Sequence, residues 1–263
     1  MFEAVLSNGS TLKKIFEGIK DLCTDVNFDV SSEGIKLQAM DSSHVSLVSL
    51  ELHTDVFEQF RCDRDSMTLG LNMKSVTQIF KICGNDDSVT MRAEDEGETL
   101  EFTFEKGEDR VSTFELKLMD IDSEHLGIPD TEYQCNVKLP CSEYQRICRD
   151  MAGFGDNMTI DCQKGGVTFS VDGEVGKGKI FLKHQPNVEE KHKVIVTVKE
   201  GVELDFALRY LNNFAKAAPL SDHVQLGLNS DTPLSVRFDI EDKATLGSLK
   251  FFLAPKIKEG EDQ

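Results

Sequence analysis

The chain has 263 residues, 39% of them apolar and 29% charged, a composition that excludes wholesale disorder and allows one large domain or two of ordinary size. Its net charge of −18 argues, taken alone, against a nucleic-acid partner, because phosphate binding is driven by Lys and Arg. No apolar run approaches the ~20 residues of a membrane span, so no membrane contact is expected, and Met1-Phe2-Glu3-Ala4 lacks the basic start of a signal peptide.

In chain order, the first patterned stretch is a strand over 2–6, a helix over about 10–22, a strand over 26–30, a turn at 31–34 and a strand over 35–39. The same order returns as strand 68–71, helix 73–82 and strands 88–93 and 99–104. It returns again as strand 135–139, helix 142–151, and strands 158–162 and 167–171 after Gly165-Gly166. A fourth copy runs through strand 202–208, helix 209–217, and strands 224–228 and 234–240. Apolar and polar residues alternate, as in Val26, Phe28 and Val30 or Val167, Phe169 and Val171, which marks half-buried antiparallel strands. The copies begin at 2, 68, 135 and 202, offsets of 66, 67 and 67, the signature of a quadrupled unit or of a duplicated domain that was itself a duplication. Between copies two and three, 120–132 is polar and patternless, a linker. The expected domains are therefore 1–117 and 135–255, joined by 118–134, with a tail at 256–263 that should fray.

The first helix pattern buries Leu12, Ile15, Phe16 and Ile19 behind a cap at Ser10 or Thr11, leaving Lys13, Lys14 and Lys20 outside. The second carries Lys74 and Lys81. The third buries Tyr144, Ile147, Cys148 and Met151 and shows Arg146 and Arg149. The fourth buries Leu211, Phe214, Ala215 and Ala218 opposite Arg209, Asn212, Asn213 and Lys216. These windows hold nine cations and four acids, net +5, which leaves −23 on the rest of the chain. A single basic helix face is ordinary solvated charge. Four with one bias in so acidic a chain point to a phosphate backbone met without reading of sequence.

Nothing in the chain assembles a reaction. The seven cysteines (23, 62, 83, 135, 141, 148 and 162) form no CxxC pair, as expected of reduced thiols without a disulfide framework or zinc site. The sequons at Asn8 and Asn157 mean nothing without secretion. Gly173-Glu174-Val175-Gly176-Lys177-Gly178 has neither the spacing nor the Ser/Thr of a phosphate loop. The six histidines show no metal-ligand spacing, Ser42 and Ser43 lie in no nucleophile elbow, and Asp86-Asp87 and Asp120/Asp122 read as solvated turns. A Mg²⁺-dependent nuclease is the rival enzyme reading, tested by cleavage of labelled DNA.

Several stretches resemble the eukaryotic replicative DNA sliding clamps, the proliferating cell nuclear antigen family. They are Leu37-Gln38-Ala39-Met40-Asp41-Ser42-Ser43-His44-Val45, Phe60-Arg61-Cys62-Asp63-Arg64, Leu118-Met119-Asp120 and Leu126-Gly127-Ile128-Pro129. Further matches are Ile147-Cys148-Arg149-Asp150, Phe206-Ala207-Leu208-Arg209-Tyr210-Leu211 and Leu253-Ala254-Pro255-Lys256-Ile257, so the resemblance spans the chain. It implies an α+β DNA clamp fold: two similar domains, each a duplicated βαβββ unit, in a homotrimeric ring with helices lining the hole and antiparallel sheets outside. Gln78 stands where the family places a lysine, and Phe252 where it places a tyrosine.

The resemblance implies a non-catalytic nuclear processivity factor for replication, repair and translesion synthesis. Its partners would be double-stranded DNA of any sequence, DNA polymerase, the clamp loader, flap endonuclease, DNA ligase and other PIP-box proteins, with no cofactor. The DNA-facing set would be Lys13, Lys14, Lys20, Lys74, Lys81, Arg146, Arg149, Arg209 and Lys216. Partner peptides would enter an apolar pocket of Met40, His44, Val45, Leu126, Ile128, Pro233, Phe252, Ala254 and Pro255. Subunits would meet through strands at 110–118 and 177–182, including Arg110, Val111, Phe114, Leu116, Lys179 and Phe181. Lys164, on a turn whose neighbours Gln163 and Gly165 depart from the family, would accept ubiquitin. A subunit of a heterotrimeric checkpoint-type clamp is the nearest alternative, and the mass of the purified complex separates the two.

Overall fold

A computed structural model describes residues 1–107, 109–122, 126–128 and 131–256. In chain order the first half runs β1 (Phe2–Leu6), α1 (Ser10–Ile19), β2 (Asp25–Ser31), β3 (Gly34–Met40), β4 (Ser46–His53), β5 (Gln59–Cys62), β6 (Met67–Asn72), α2 (Met73–Phe80), β7 (Ser88–Ala93), β8 (Thr99–Lys106) and β9 (Arg110–Lys117). The second half runs β10 (Cys135–Pro140), α3 (Cys141–Met151), β11 (Asn157–Gln163), β12 (Gly166–Gly173), β13 (Gly176–Lys183), β14 (Ile195–Val198), β15 (Val202–Ala207), α4 (Leu208–Phe214), β16 (His223–Leu228), β17 (Leu234–Asp239) and β18 (Gly247–Leu253). The fold is α+β, with antiparallel pairing throughout the strands described below. No described helix is long and apolar enough to cross a membrane.

Two compact units result: 1–127 with 239–249, and 128–238 with the chain from 250. In the first unit the strand orders are β5-β1-β7-β8-β9 and β4-β3-β2-β6. In the second they are β13-β12-β11-β15 and β14-β10-β16-β17, with the second half of β18 beyond β17. The sequence repeat acquires a structural meaning here. In the first unit β1 pairs with β7 and β2 with β6, so the two leading strands of one copy pair with those of its sister, first to second. In the second unit β10 pairs with β16 and β11 with β15 by the same rule. Neither copy could bury its apolar face alone; paired, each unit has one continuous core.

The core of the first unit centres on α1 and α2. Phe16 lies 4.8 Å from Phe80 edge-on and 5.9 Å from Phe28, and Phe80 in turn meets Phe102 at 5.4 Å. Each such fully buried ring contributes roughly 1.5–3 kcal/mol through removal of apolar surface from water. In the second unit Phe214 stacks on Phe251 at 4.6 Å, and the buried Tyr144 hydroxyl donates to the Leu211 carbonyl at 3.3 Å, tying α3 to α4.

Three local expectations are corrected. α1 begins at Ser10, so neither Ser10 nor Thr11 caps it. Gly9 precedes the helix with its backbone N–H on the Asp87 carbonyl (2.8 Å), and a Cβ there would meet Val89 Cγ2 at 2.5 Å, so no side-chain cap fits. The side chain of Asn8 accepts the Ser10 N–H instead. α4 ends at Phe214, and Ala215–Leu220 continues as a 3-10 turn containing Pro219. Proline has no N–H and clashes with the carbonyl four residues before it, here Ala215. Lys216 therefore follows α4. Finally, β4, β5, β14 and β18 receive no range from the sequence pattern; β4 and β18 are the third strands that a βαβββ unit requires after α1 and α4, whereas β5 and β14 are additional. The tail beyond Lys256 lies outside the described residues.

Candidate nucleic-acid interface and docking surfaces

α1, α3 and α4 bury the expected stripes, and this fixes where their cations point. Leu12, Ile15, Phe16 and Ile19 of α1 are fully buried, as are Tyr144, Ile147 and Cys148 of α3 and Leu211 and Phe214 of α4. On α2 the buried set is Met73, Val76, Thr77 and Phe80. The Thr77 hydroxyl is spent on the Met73 carbonyl at 2.8 Å. Side chains three and four apart share a face, so the remaining positions turn outward.

The cations differ in what already holds them. Lys13 donates to the Cys83 carbonyl at 3.1 Å, and Lys20 pairs with Glu17 at 2.5 Å, a hydrogen bond that raises the Lys20 pKa. Lys74 and Lys81 are exposed and Lys14 is half-buried; none of the three has an ion-pair partner among the described residues. Arg146 pairs with Glu143 at 2.8 Å, which raises its pKa, and Arg149 with Asp150 at 3.0 Å. The Arg209 guanidinium lies 4.8 Å over the Tyr210 ring, and Lys216 donates to Asn213 at 3.1 Å. Gln78 is exposed on α2 and presents a neutral amide.

The residues expected to receive peptides are shared between the units. In the first, Met40 ends β3 half-buried and His44 and Val45 follow in a loop. The buried Asp41 carboxylate shapes that loop by accepting the backbone N–H groups of Ser43 (3.0 Å), Val45 (2.8 Å) and Ser46 (2.7 Å). His44 takes φ +55°, a left-handed conformation uncommon for a residue with a side chain. Leu126 is 40% exposed. In the second unit Ile128 and Phe252 line a cavity of about 240 Å³ with Tyr133, Leu226, Arg237 and Lys250. Pro233 and Ala254 are exposed and Pro255 is half-buried; none of these three lines that cavity. Sequence reasoning missed Tyr133, Arg237 and Lys250, which converge only because β10, β16, β17 and the strand after 250 lie side by side.

The expected subunit contacts fall on sheet edges. β9 and β13 each end their sheets, with every second residue outward. Val111 is 62% exposed and Phe181 58%, whereas Phe114 and Leu116 are half-buried and Arg110 and Lys179 exposed. Phe114 packs 5.9 Å from Phe104. Lys164 is exposed on the turn between β11 and β12. Burial lifts the thiols of Cys23 and Cys148 to about 12 and that of Cys83 to about 11, so all three stay protonated and unreactive near neutrality. Among the described residues no group of three or more His, Cys, Asp and Glu side chains is placed to hold a metal ion.

Comparison with known families matches residues 1–125 to the N-terminal domain of proliferating cell nuclear antigen and 127–256 to its C-terminal domain. The chain belongs to the proliferating cell nuclear antigen family. Its two clamp domains support the function of a DNA sliding clamp in replication, and clamps of this family are non-catalytic.

Proposed function

We propose that the protein is a nuclear, homotrimeric processivity factor that encircles duplex DNA, catalyses nothing itself, and tethers DNA polymerase, the clamp loader, flap endonuclease, DNA ligase and other PIP-box proteins. The observation that carries this reading is the placement of nine cations on or beside four helices, net +5, in a chain of −18. Lys13, Lys14, Lys20, Lys74, Lys81, Arg146, Arg149, Arg209 and Lys216 touch phosphates weakly, since a sliding protein is not held at one site. The acidic remainder repels DNA elsewhere. Reversing Lys20 and Arg149 together to Glu abolishes retention on closed circular DNA; variants that load and slide normally would refute the assignment.

Met40, His44, Val45 and Leu126 in the first unit, and Ile128, Pro233, Phe252, Ala254 and Pro255 in the second, take part in binding short peptides with a glutamine, an aliphatic residue and two aromatics on one helical turn. What supports this is the exposure of Leu126 and Ile128, apolar side chains in an acidic stretch that gain nothing from water. Phe252 keeps the ring of the family's tyrosine without its hydroxyl, so binding survives. Ile128→Ala and Met40→Ala each weaken such a peptide severalfold and leave DNA encirclement intact. Domains at 1–117 and 135–255 about a linker at 118–134 remain our division of the chain, with subunits meeting through Arg110, Val111, Phe114, Leu116, Lys179 and Phe181. Lys164 accepts ubiquitin during translesion synthesis, which peptide mapping after DNA damage would locate at Lys164 or elsewhere.

A further inference from the structure

Leu126 is held where it is by the side chain of Gln38, which donates through Nε2 to the Leu126 carbonyl at 2.8 Å and accepts the Leu126 N–H on Oε1 at 2.5 Å. A primary carboxamide makes this two-way bond with a backbone because it carries donors and an acceptor on one rigid plane. Two further attachments precede it. Asn27, buried in β2, donates through Nδ2 to the Ile121 carbonyl at 2.8 Å. Met119 bridges Gly70 of β6, its N–H on the Gly70 carbonyl at 2.9 Å, so close that a Cβ at Gly70 would lie 2.0 Å from the Met119 oxygen. The three anchors sit on adjacent strands in the order β6, β2, β3, and the chain attaches to them in that order. Residues 119, 121 and 126 are thereby tied to three neighbouring strands of the first unit's sheet.

The last anchor has the functional consequence. Side chains alternate along a strand, so Gln38 and Met40 share one face of β3. Gln38 thus sets the Leu126 backbone on the strand face that presents Met40 two residues on. We propose that Gln38, supported by Asn27, is a positioning residue for peptide docking: it holds Leu126 in register with Met40 and is not itself in contact with the peptide. The inference rests on the reading that Met40 and Leu126 receive partner peptides. Without the clamp, only a fraction of molecules carry Leu126 in the competent place, and apparent affinity falls by that fraction.

The test uses the full-length protein and a fluorescent peptide bearing a glutamine, an aliphatic residue and two aromatics. Gln38→Ala is expected to weaken binding roughly tenfold and, in the absence of peptide, to speed hydrogen exchange at the Leu126 amide, with retention on circular DNA unchanged. Gln38→Glu keeps the acceptor for that amide but sets a carboxylate against the Leu126 carbonyl, so it weakens binding as well while sparing part of the amide's protection. Met40→Ala serves as the direct-contact control. Weakened binding in Met40→Ala with none in Gln38→Ala, or unchanged Leu126 exchange in Gln38→Ala, would overturn the positioning role alone. Unchanged affinity in Met40→Ala would overturn the docking reading and this inference with it.

Discussion

Along α1 and α2 the outward cations are Lys13, Lys14 and Lys74, with Lys20 and Lys81 just beyond; along α3 and α4 they are Arg146, Arg149 and Arg209, with Lys216 just beyond. The two units share one strand-pairing rule, yet these sets are not equally available. Both arginines of α3 are paired with carboxylates of their own helix, whereas Lys14, Lys74 and Lys81 have no such partner among the described residues. A count of charges therefore overstates what α3 can offer a phosphate, as it does for Lys20, held by Glu17, in the first unit; for Lys14, Lys74 and Lys81 the count is fair. The edge strands differ in a parallel way. The outward residues of β13 include Lys177, Lys179 and Lys183 around Phe181, while β9 mixes Arg110, Glu115 and Lys117 with Val111. Two β13 edges laid together would oppose lysines, but β13 against β9 finds a carboxylate and an apolar partner. That asymmetry favours a heterologous, head-to-tail contact, the kind that closes into a ring.

The largest effect should come from breaking that edge. Val111→Asp places a second acid on the apolar part of β9, and the expected outcome is conversion of the trimer to monomer in sedimentation, a threefold fall in mass. An unchanged trimer would remove β9 from the interface. Next in size is the contrast between helices. Lys14→Ala with Lys81→Ala should lower the slope of log affinity against log salt by roughly 1–2, since each phosphate contact carries about 0.9. Arg146→Ala with Arg149→Ala should lower it by less, because those side chains are already engaged. Equal changes in the two pairs would show that the ion pairs on α3 break on contact with DNA.

A smaller and shared effect is alkaline. Cys23 in the first unit and Cys148 in the second rise from the ordinary 9.0 to about 12, both because burial disfavours the thiolate. Between those values the folded state holds a proton that the unfolded state has lost, so stability falls as pH rises. The contribution is whole below pH 9 and lost progressively toward 12. At pH 10.5 each group costs about 2 kcal/mol, and the Tm should decline from pH 9 upward by several degrees. Cys23→Ala and Cys148→Ala should each flatten the decline, and a Tm independent of pH to 10.5 would contradict the assigned burial.

The helices and the alternating strands around them were legible because their apolar spacing matches one period and the four copies reinforce one another. β4 carried the same signal in Val48, Leu50 and Leu52, each 1% exposed or less, and β18 in Leu249, Phe251 and Leu253. β5 and β14 are four residues each, too short to show a period. The clamp of Gln38 on Leu126 was illegible for another reason: the partners are 88 residues apart, and the bond is to backbone, which carries no sequence signature. The cap of α1 failed because Ser10 obeys a local preference while Gly9 answers to Val89 and Cys83. Tertiary contact overrode local rule there.

The smallest effect separates the units at their helix starts. Asn72 caps α2 with its side chain, accepting the Ser75 N–H at 3.1 Å and donating to Asp25 at 2.7 Å. In the second unit neither Pro140 before α3 nor Ala207 before α4 offers a side-chain cap. Backbone carbonyls do the work there: the Cys141 N–H reaches Asp222 and the Leu208 N–H reaches Asp156, both at 2.8 Å. A side-chain cap can be removed by substitution, and a backbone one cannot. Asn72→Ala should therefore cost about 1 kcal/mol in urea unfolding, whereas Asp156→Ala, whose carbonyl stays in place, should lie within about 0.5 kcal/mol of the parent. Equal losses at the two sites would mean that the Asp156 carboxylate, rather than its carbonyl, stabilises the start of α4, through the helix dipole.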